Sequence, residues 1–164
     1  MIYIHLGAGA GDLDERADLR CGFTELIKKN YRNGDKIFLV EANPANIEKL
    51  KESYNDIPEV NIFNIGISSS KESRLNFYYA EEDAPHYQIT SIKSEHVQKH
   101  YPNSTIKKFS IRCLTINDFL KNFVKETEID YLSIDLEGID YEILMSLDLD
   151  KFNIKRISIE HYYL

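Results

Sequence analysis

The chain has 164 residues, of which 43% are hydrophobic and 29% charged, and its formal net charge is −7. This composition is typical of a soluble globular protein, and we expect a single domain spanning residues 1–164. The negative charge disfavours a nucleic acid partner, and no apolar run approaches the roughly 20 residues that cross a bilayer, so no membrane partner is expected. Two distant cysteines and the lack of a signal-peptide pattern favour a cytoplasmic protein with reduced thiols.

In chain order, short apolar runs alternate with amphipathic stretches. The runs predicted to form strands are residues 2–6, 36–42, 60–68, 75–80, 106–113, 129–137 and 154–163. The stretches predicted to form helices lie near residues 24–31, 44–54, 115–124 and 140–147. Two helix starts are marked by Asn43 followed by Pro44, and by Thr115 with Asp118 three residues later.

The alternation of apolar strands with helices predicts a doubly wound α/β fold with a mostly parallel sheet. Ligands of such sheets bind beyond the carboxyl ends of the strands, where the strand order reverses. The expected site therefore lies among five strand ends, which are residues 7–11, 41–43, 64–66, 135–138 and 160–161. Residues 81–105 form the longest irregular segment, and we expect a lid there.

The first strand is followed by glycines at positions 7, 9 and 11, in the sequence LGAGAGD. Glycines let the backbone approach a ligand closely, although this spacing matches neither the dinucleotide fingerprint nor the P-loop. Glu41 ends the second strand, where an acid can accept hydrogen bonds from the ribose hydroxyls of a nucleoside. Together these features favour nucleoside binding over a simple tight bend beside an ordinary exposed carboxylate.

The sequence YLSIDLEGIDYEIL, residues 131–144, ends an apolar strand with Asp135 and Glu137. On a strand, both side chains would point to the same face, where two carboxylates repel unless solvent or a cation accompanies them. A ligand with an ammonium and a sulfonium group would use both acids. The alternative is that one of them caps the helix predicted to begin near Asp140.

Four segments together carry a family resemblance: IDYLSIDLEGIDYEIL, FLVEANP, NIFNIGIS and CLTINDFL. In this combination and order, the chain resembles the FkbM-like family of S-adenosylmethionine-dependent methyltransferases. The block IDLEG-x-D-x-x-x-L is the most specific segment, and the resemblance extends over nearly the whole chain. It implies the Rossmann-like fold of class I methyltransferases and O-methylation of a sugar or natural product.

The resemblance also implies roles for individual residues. S-adenosylmethionine is the implied cofactor, with its methionine part against the three glycines, its ribose held by Glu41 and its adenine flanked by residues 64–66. Asp135 would face the reaction centre. The cofactor-binding candidates are Gly7, Gly9, Gly11, Glu41, Ala42, Asn43, Asn64, Gly66, Asp135 and Glu137.

The chain departs from the family pattern in three places. The family usually has an acid where this chain has His5, and that acid normally anchors the methionine end of the cofactor. Residues 12–22 resemble an insertion between the glycines and the first helix. The chain also stops after residues 154–163, the fifth strand of the parallel sheet, where class I folds add a helix and two strands. We therefore expect this edge to pair with a second copy or a further domain.

Methyl transfer to a hydroxyl needs an aligned acceptor, and a base that removes its proton adds about 10²–10⁴-fold. The candidates for catalysis are Asp135, Glu160 and His161, although packing is an equal interpretation for His161. These three residues and Glu137 are also candidates for a divalent metal that orients the hydroxyls of a small-molecule or glycan substrate. No pair of them has a local ligand spacing, so the metal is the weaker hypothesis.

Three other functions are open at the level of sequence. A nucleic acid methyltransferase is disfavoured because DLEG stands where amino-methylating enzymes have Asn/Asp-Pro-Pro-aromatic, and because Cys113 follows Arg112 rather than a proline. The glycine spacing disfavours a nicotinamide-dependent oxidoreductase. A domain that binds the cofactor without catalysis, or that belongs to a larger glycan-modifying assembly, stays an alternative.

Overall fold

A computed structural model describes residues 1–13 and 21–160. The strands β1–β11 are, in chain order, Ile2–Leu6, Lys36–Val40, Val60–Phe63, Gly66–Ile67, Arg74–Ala80, Thr90–Ser91, Ile106–Leu114, Glu128–Ile129, Tyr131–Ile134, Asn153–Ile154 and Ile157–Ile159. The helices α1–α5 are Gly22–Asn30, Ile47–Ser53, Ser94–His100, Ile116–Phe119 and Asp140–Ser146. Short helical turns are Pro44–Asn46, Glu81–Asp83 and Leu120–Val124. The predictions for His161 and for part of the insertion lie outside the described residues.

Five strands form one fully parallel sheet in the order β11-β9-β1-β2-β3. The chain proceeds outward from β1 in both directions, so the predicted doubly wound, mostly parallel α/β fold is confirmed. Leu6 lies opposite Val40 on one side and Ile134 on the other. Because these three strands end level with one another, the segments that follow them meet at one edge of the sheet.

Alternating residues of β1 divide the core between the two faces of this sheet. Ile4 and Leu6 belong to a buried cluster that includes Phe119 of α4 and Ile143 of α5. Tyr3 belongs to the cluster on the opposite face, where α1 and α2 pack. Helices therefore cover both faces, as continuous apolar parallel strands require.

Both predicted helix starts are confirmed. The Asn43 side chain accepts a hydrogen bond from the N–H of Ala45 at the start of the turn that leads into α2. The Thr115 side chain accepts one from the N–H of Asp118 at the start of α4. These oxygens satisfy N–H groups that have no partner within a helix. None of the helices in the described ranges has the length and apolar character that crossing a membrane needs.

The prediction of one strand over residues 60–68 is wrong, because the chain divides this segment between two sheets. β3 ends at Phe63, and β4 pairs with the end of β7 in a second sheet of order β4-β7-β5-β6. A Cβ on Gly66 would lie 2.7 Å from Cys113 Sγ and 2.7 Å from the Phe77 ring. Glycine therefore lets β4 approach β5 and β7 closely.

The predicted strand 129–137 also ends earlier than expected. β9 stops at Ile134, and Asp135 and Glu137 lie on the loop before α5. Glu137 has a φ of +53°, in the left-handed region that is incompatible with an extended strand. The assumption that both acids share one face of a strand is therefore wrong, and any proximity between them comes from the loop.

Two further boundaries differ from the prediction. In the described residues, the predicted strand 154–163 consists of β10 and β11 and ends at Ile159. Residues 81–105, expected to be irregular, contain a helical turn, β6 and α3. In α3 only Val97 is buried, so this short helix has no apolar periodicity that its sequence could reveal.

The strand β11 is an edge of the five-stranded sheet within the part of the chain that the structure describes. Ile157 and Ile159 are only half-buried there. Exposed apolar edges favour pairing with another strand, so the predicted association through this edge stays a prediction.

We expect Gly66→Ala to lower the melting temperature, because the added methyl group would lie 2.7 Å from Cys113 Sγ and the Phe77 ring. Overpacking costs about 1–3 kcal/mol, which corresponds to roughly 2–12 °C in a domain of this size. Gly22→Ala is the control, because nothing lies within 4 Å of a Cβ at that position. Equal melting temperatures of the two variants in scanning calorimetry would contradict the tight packing around β4.

Candidate functional site

The strand ends of the parallel sheet open onto a cavity of about 320 Å³, at the lower end of the range for small-molecule sites. Its walls include the glycine loop (residues 7–11), Glu41–Ala42, part of the acid loop (residues 135–139) and part of the predicted lid (residues 81–105). The cavity therefore lies at the carboxyl edge of the sheet beside β1, where the order of strands reverses.

Positive φ angles at Gly7, Gly9 and Gly11 turn the chain after β1. At Gly7, a Cβ would lie 1.7 Å from the carbonyl oxygen of Asp135, so only glycine allows the two strand ends to approach. At Gly9, nothing lies within 4 Å of a Cβ, and this residue lines the cavity. The loop therefore presents bare backbone to a ligand.

The carboxylate of Glu41 joins two segments of the wall, and the residue is only 5% exposed. Its Oε2 accepts a hydrogen bond from the N–H of Gly9 at 2.8 Å, and its Oε1 accepts one from the N–H of Asn43 at 2.7 Å. Burial raises the pKa of Glu41, although both hydrogen bonds favour the ionised form. Because each carboxylate oxygen has a further lone pair, Glu41 can hold the loop and still bind a ligand hydroxyl.

Asp140 shapes the acid loop from the start of α5. Its carboxylate accepts hydrogen bonds from the N–H of Leu136 at 2.7 Å and the N–H of Gly138 at 3.2 Å. The N-cap of α5 is Ile139, and no side chain bonds as a cap there. Neither of the two predicted acids therefore occupies the cap position, which was the alternative to a role in binding.

Asp135, Glu137 and Glu160 form the acid cluster, in which one carboxylate oxygen of each residue lies within 4.8 Å of the others. Burial and the neighbouring Asp140 raise the pKa of Asp135. Burial and repulsion from the other acids raise the pKa of Glu137 to about 9 and that of Glu160 to about 7. The acid cluster therefore retains protons at neutral pH, and a cation would stabilise its ionised form.

The acid cluster has the ligands for either of two kinds of cation. Carboxylate oxygens are preferred by hard divalent ions, so these three residues could hold a metal. An organic cation with a sulfonium or ammonium group would use the same charges without a fixed coordination geometry. The fourth predicted metal ligand, His161, lies outside the described residues.

The predicted lid packs onto the acid loop. The Ser91 hydroxyl donates to the carbonyl of Glu137 at 2.7 Å, and Lys93 Nζ donates to the carbonyl of Gly138 at 3.0 Å. His96 Nε2 lies 3.3 Å from Glu137 Oε2. Burial lowers the pKa of His96 and raises that of Glu137, so this contact joins two neutral groups at neutral pH. The predicted lid thus covers part of the acid cluster, at Glu137.

Sequence reasoning missed a histidine–cysteine pair at the cavity. His5 is 2% exposed, and its ring stacks on Phe23 with the centroids 4.5 Å apart. Its Nδ1 lies 3.7 Å from Cys21 Sγ, and both residues line the cavity. The departure from the family at His5 was the one signal available, because Cys21 lies 16 residues away with no motif around it.

Four of the predicted site residues lie outside the cavity wall, and these are Asn43, Asn64, Gly66 and Glu160. Asn64 supports the wall from behind, since its Nδ2 donates to the carbonyls of Glu41 at 2.9 Å and Ala42 at 3.0 Å. Asn43 caps a helical turn, and Gly66 packs against the second sheet. The last of the four belongs to the acid cluster.

Comparison with known proteins bears on the resemblance drawn from the motifs. The family model described as Methyltransferase FkbM domain matches residues 5–164, which is nearly the whole chain. No curated protein and no solved structure matches the chain. The family match agrees with the parallel sheet. The chain therefore belongs to the family of FkbM methyltransferase domains.

Proposed function

We propose that this methyltransferase uses S-adenosylmethionine and transfers the methyl group to a hydroxyl of a sugar, a glycan or a small natural product. The observation that carries the proposal is the acid cluster, two of whose members, Asp135 and Glu137, line the same cavity as the bare backbone of the glycine loop. Crowded, partly protonated carboxylates favour a cationic ligand. S-adenosylmethionine is such a ligand, because it carries a sulfonium and an ammonium group.

The residues of the wall suit the parts of this cofactor. The glycine loop would lie against the methionine part, because bare backbone permits a close approach. Glu41 would accept a hydrogen bond from a ribose hydroxyl through the lone pair that its hydrogen bonds with Gly9, Asn43 and Asn46 leave free. Ala42, which also lines the cavity, would flank the adenine. Asp135 and Glu137 would face the sulfonium.

The cofactor supplies an electrophilic methyl group, and the chain must orient the acceptor and remove its proton. Glu160 has a pKa of about 7, and a general base works best when its pKa lies near the operating pH. Asp135 lies in the same acid cluster and lines the cavity, so it would orient the acceptor hydroxyl. Glu160 lies outside the cavity wall, but its carboxylate is within 4.8 Å of that of Asp135. We therefore assign the positioning to Asp135, and the proton would pass through the acid cluster to Glu160.

The lid residues at the cavity favour an acceptor with several hydroxyls. Tyr87, Gln88 and Thr90 line the cavity. The hydroxyl oxygen of Thr90 is buried and has no hydrogen-bond partner among the described residues. An unsatisfied buried hydroxyl costs free energy, so a ligand hydroxyl that bonds to Thr90 would remove this cost. A sugar offers such hydroxyls.

We expect Glu41→Ala to weaken the binding of S-adenosylhomocysteine by roughly 10- to 150-fold, since charge-assisted hydrogen bonds contribute about 1.5–3 kcal/mol. Isothermal titration calorimetry measures the Kd. Glu48→Ala is the matched control, because the Glu48 side chain is 84% exposed on α2. If Glu41→Ala binds as tightly as the parent protein, Glu41 does not hold the ribose.

Binding of S-adenosylmethionine should release protons at about pH 8. Glu137 has a pKa of about 9 and still holds its proton there, and a nearby positive charge favours the ionised carboxylate, so the pKa falls and the proton leaves. Calorimetry in two buffers with different ionisation enthalpies counts the protons. S-adenosylhomocysteine lacks the sulfonium charge and should release fewer. Equal release by the two ligands would show that the sulfonium does not face the acid cluster.

We expect Glu160→Gln to lower kcat by about 10²–10⁴-fold and to remove the limb of the pH–rate profile near pH 7, where Glu160 titrates. Asp135→Asn should also lower activity sharply with little change in melting temperature, because it removes charge but keeps the shape of the side chain. Transfer of a labelled methyl group to a panel of sugars measures activity.

Glu126→Gln serves as the control for both variants, because Glu126 lies in a surface ion pair with Lys36 away from the cavity. A fully active Glu160→Gln enzyme would exclude Glu160 as the base. If a chelator abolishes activity and a divalent ion restores it, the acid cluster holds a metal rather than the sulfonium.

A further inference from the structure

Cys21 and His5 form a pair whose chemistry the proposed methyl transfer does not use. Cys21 is the N-cap of the nine-residue helix α1, and the residue as a whole is half-buried. Its Sγ lies 3.7 Å from His5 Nδ1, and both residues line the cavity beside the glycine loop. A thiol at a helix N-terminus and next to a histidine is in a setting that stabilises the thiolate.

The imidazole of His5 is held in place rather than free to rotate away. It is 2% exposed and stacks on Phe23 of α1 with an interplanar angle of 28°. The same helix carries Cys21 at its start, so one packing contact fixes the distance between the two groups. The arrangement is therefore built into the junction of β1 and α1.

The charges around the pair favour its ionised form. Burial lowers the pKa of His5, but Cys21, Asp135 and Glu41 oppose it and leave the pKa raised. Burial raises the pKa of the Cys21 thiol, but His5 and the polar groups of Thr24 lower it to about 7. The titratable groups that face the pair from the surrounding elements are Glu41, Tyr54 and Asp135, with Asp12 and Lys28 paired behind Tyr54.

We propose that Cys21 is a nucleophilic thiol that forms mixed disulfides with low-molecular-weight disulfides, and that this modification closes the cavity to the cofactor. The second half rests on the proposed function, because it assumes that S-adenosylmethionine occupies the cavity. A group attached to Cys21 Sγ would extend into a space of only about 320 Å³ that the glycine loop also borders. Modification and cofactor binding therefore exclude each other.

The reaction is a thiol–disulfide exchange. His5 accepts the proton of the Cys21 thiol, and the resulting thiolate attacks one sulfur of the small disulfide. A new S–S bond forms between Cys21 and that half, the original S–S bond breaks, and the other half leaves as a thiolate that takes up a proton. The small disulfide is the oxidant, and a free thiol reverses the step.

The second cysteine provides an internal reference. Cys113 is 3% exposed in the second sheet, and burial raises the pKa of its thiol. The two cysteines of one chain therefore differ in both accessibility and ionisation. We expect iodoacetamide to alkylate Cys21 in the native protein while Cys113 stays unmodified, as measured by peptide mass spectrometry.

The pH dependence of alkylation tests the role of His5. The rate at Cys21 should rise with a midpoint near pH 7, and His5→Gln should shift the midpoint towards about 8.5, the value of an ordinary cysteine. The alkylation rates of the parent protein alone show whether Cys21 is reactive, so the test does not require His5→Gln to fold. A midpoint near 8.5 in the parent, or alkylation of Cys21 no faster than of Cys113, would overturn the proposal.

The link to the cavity is tested with glutathione disulfide. Treated protein should lose binding of S-adenosylhomocysteine in calorimetry and recover it with dithiothreitol, whereas treated Cys21→Ser should bind throughout. Unchanged binding after complete modification would overturn the second half of the proposal. If even the untreated protein does not bind S-adenosylhomocysteine, the proposed function fails and this second half with it, while the alkylation rates still decide whether Cys21 is reactive.

Discussion

The buried carboxylate of Glu41 joins the glycine loop to the end of β2, and the rest of the site depends on this interaction. A glycine-rich loop loses much conformational entropy when it is ordered, so it needs fixed partners. Glu41 provides one by accepting from the N–H of Gly9 while it also holds the N–H of Asn43. On the other side, Gly7 lies directly against the carbonyl of Asp135. These contacts hold three strand ends around one cavity.

Repulsion among the carboxylates of the acid cluster gives a reason why acids follow a buried apolar strand. Buried carboxylates are costly unless they are paired or protonated, and the lid covers Glu137 through Ser91 and His96. Repulsion and burial therefore leave Glu137 protonated and Glu160 half-protonated near neutral pH. Such a site gains free energy when a cation enters, because carboxylates that were held neutral can ionise. The crowded acids thus lower the stability of the free protein, and the proposed cationic cofactor would relieve this repulsion.

The sequence predicted the parallel sheet and the glycine loop, because apolar runs and glycines act locally. The prediction failed where contacts between residues distant in sequence determine the local structure. Glu137, with a φ of +53°, lies in a run that the sequence predicted to be a strand, and the close packing of Gly66 against Cys113 and Phe77 of the second sheet was not predicted. Cys21 meets His5 only through the packing of α1 on β1. Pairs formed across the chain in this way leave no spacing that a single sequence could reveal.

The proposed function places a cationic nucleoside cofactor in the cavity between the glycine loop and the acid cluster. A crystal structure of the protein with S-adenosylhomocysteine would locate the ligand. We expect the ligand to lie against Gly9, with its ribose hydroxyls within hydrogen-bond distance of Glu41 and its sulfur on the side of Asp135. A ligand bound elsewhere on the protein, or in this cavity with its ribose away from Glu41, would contradict this binding mode.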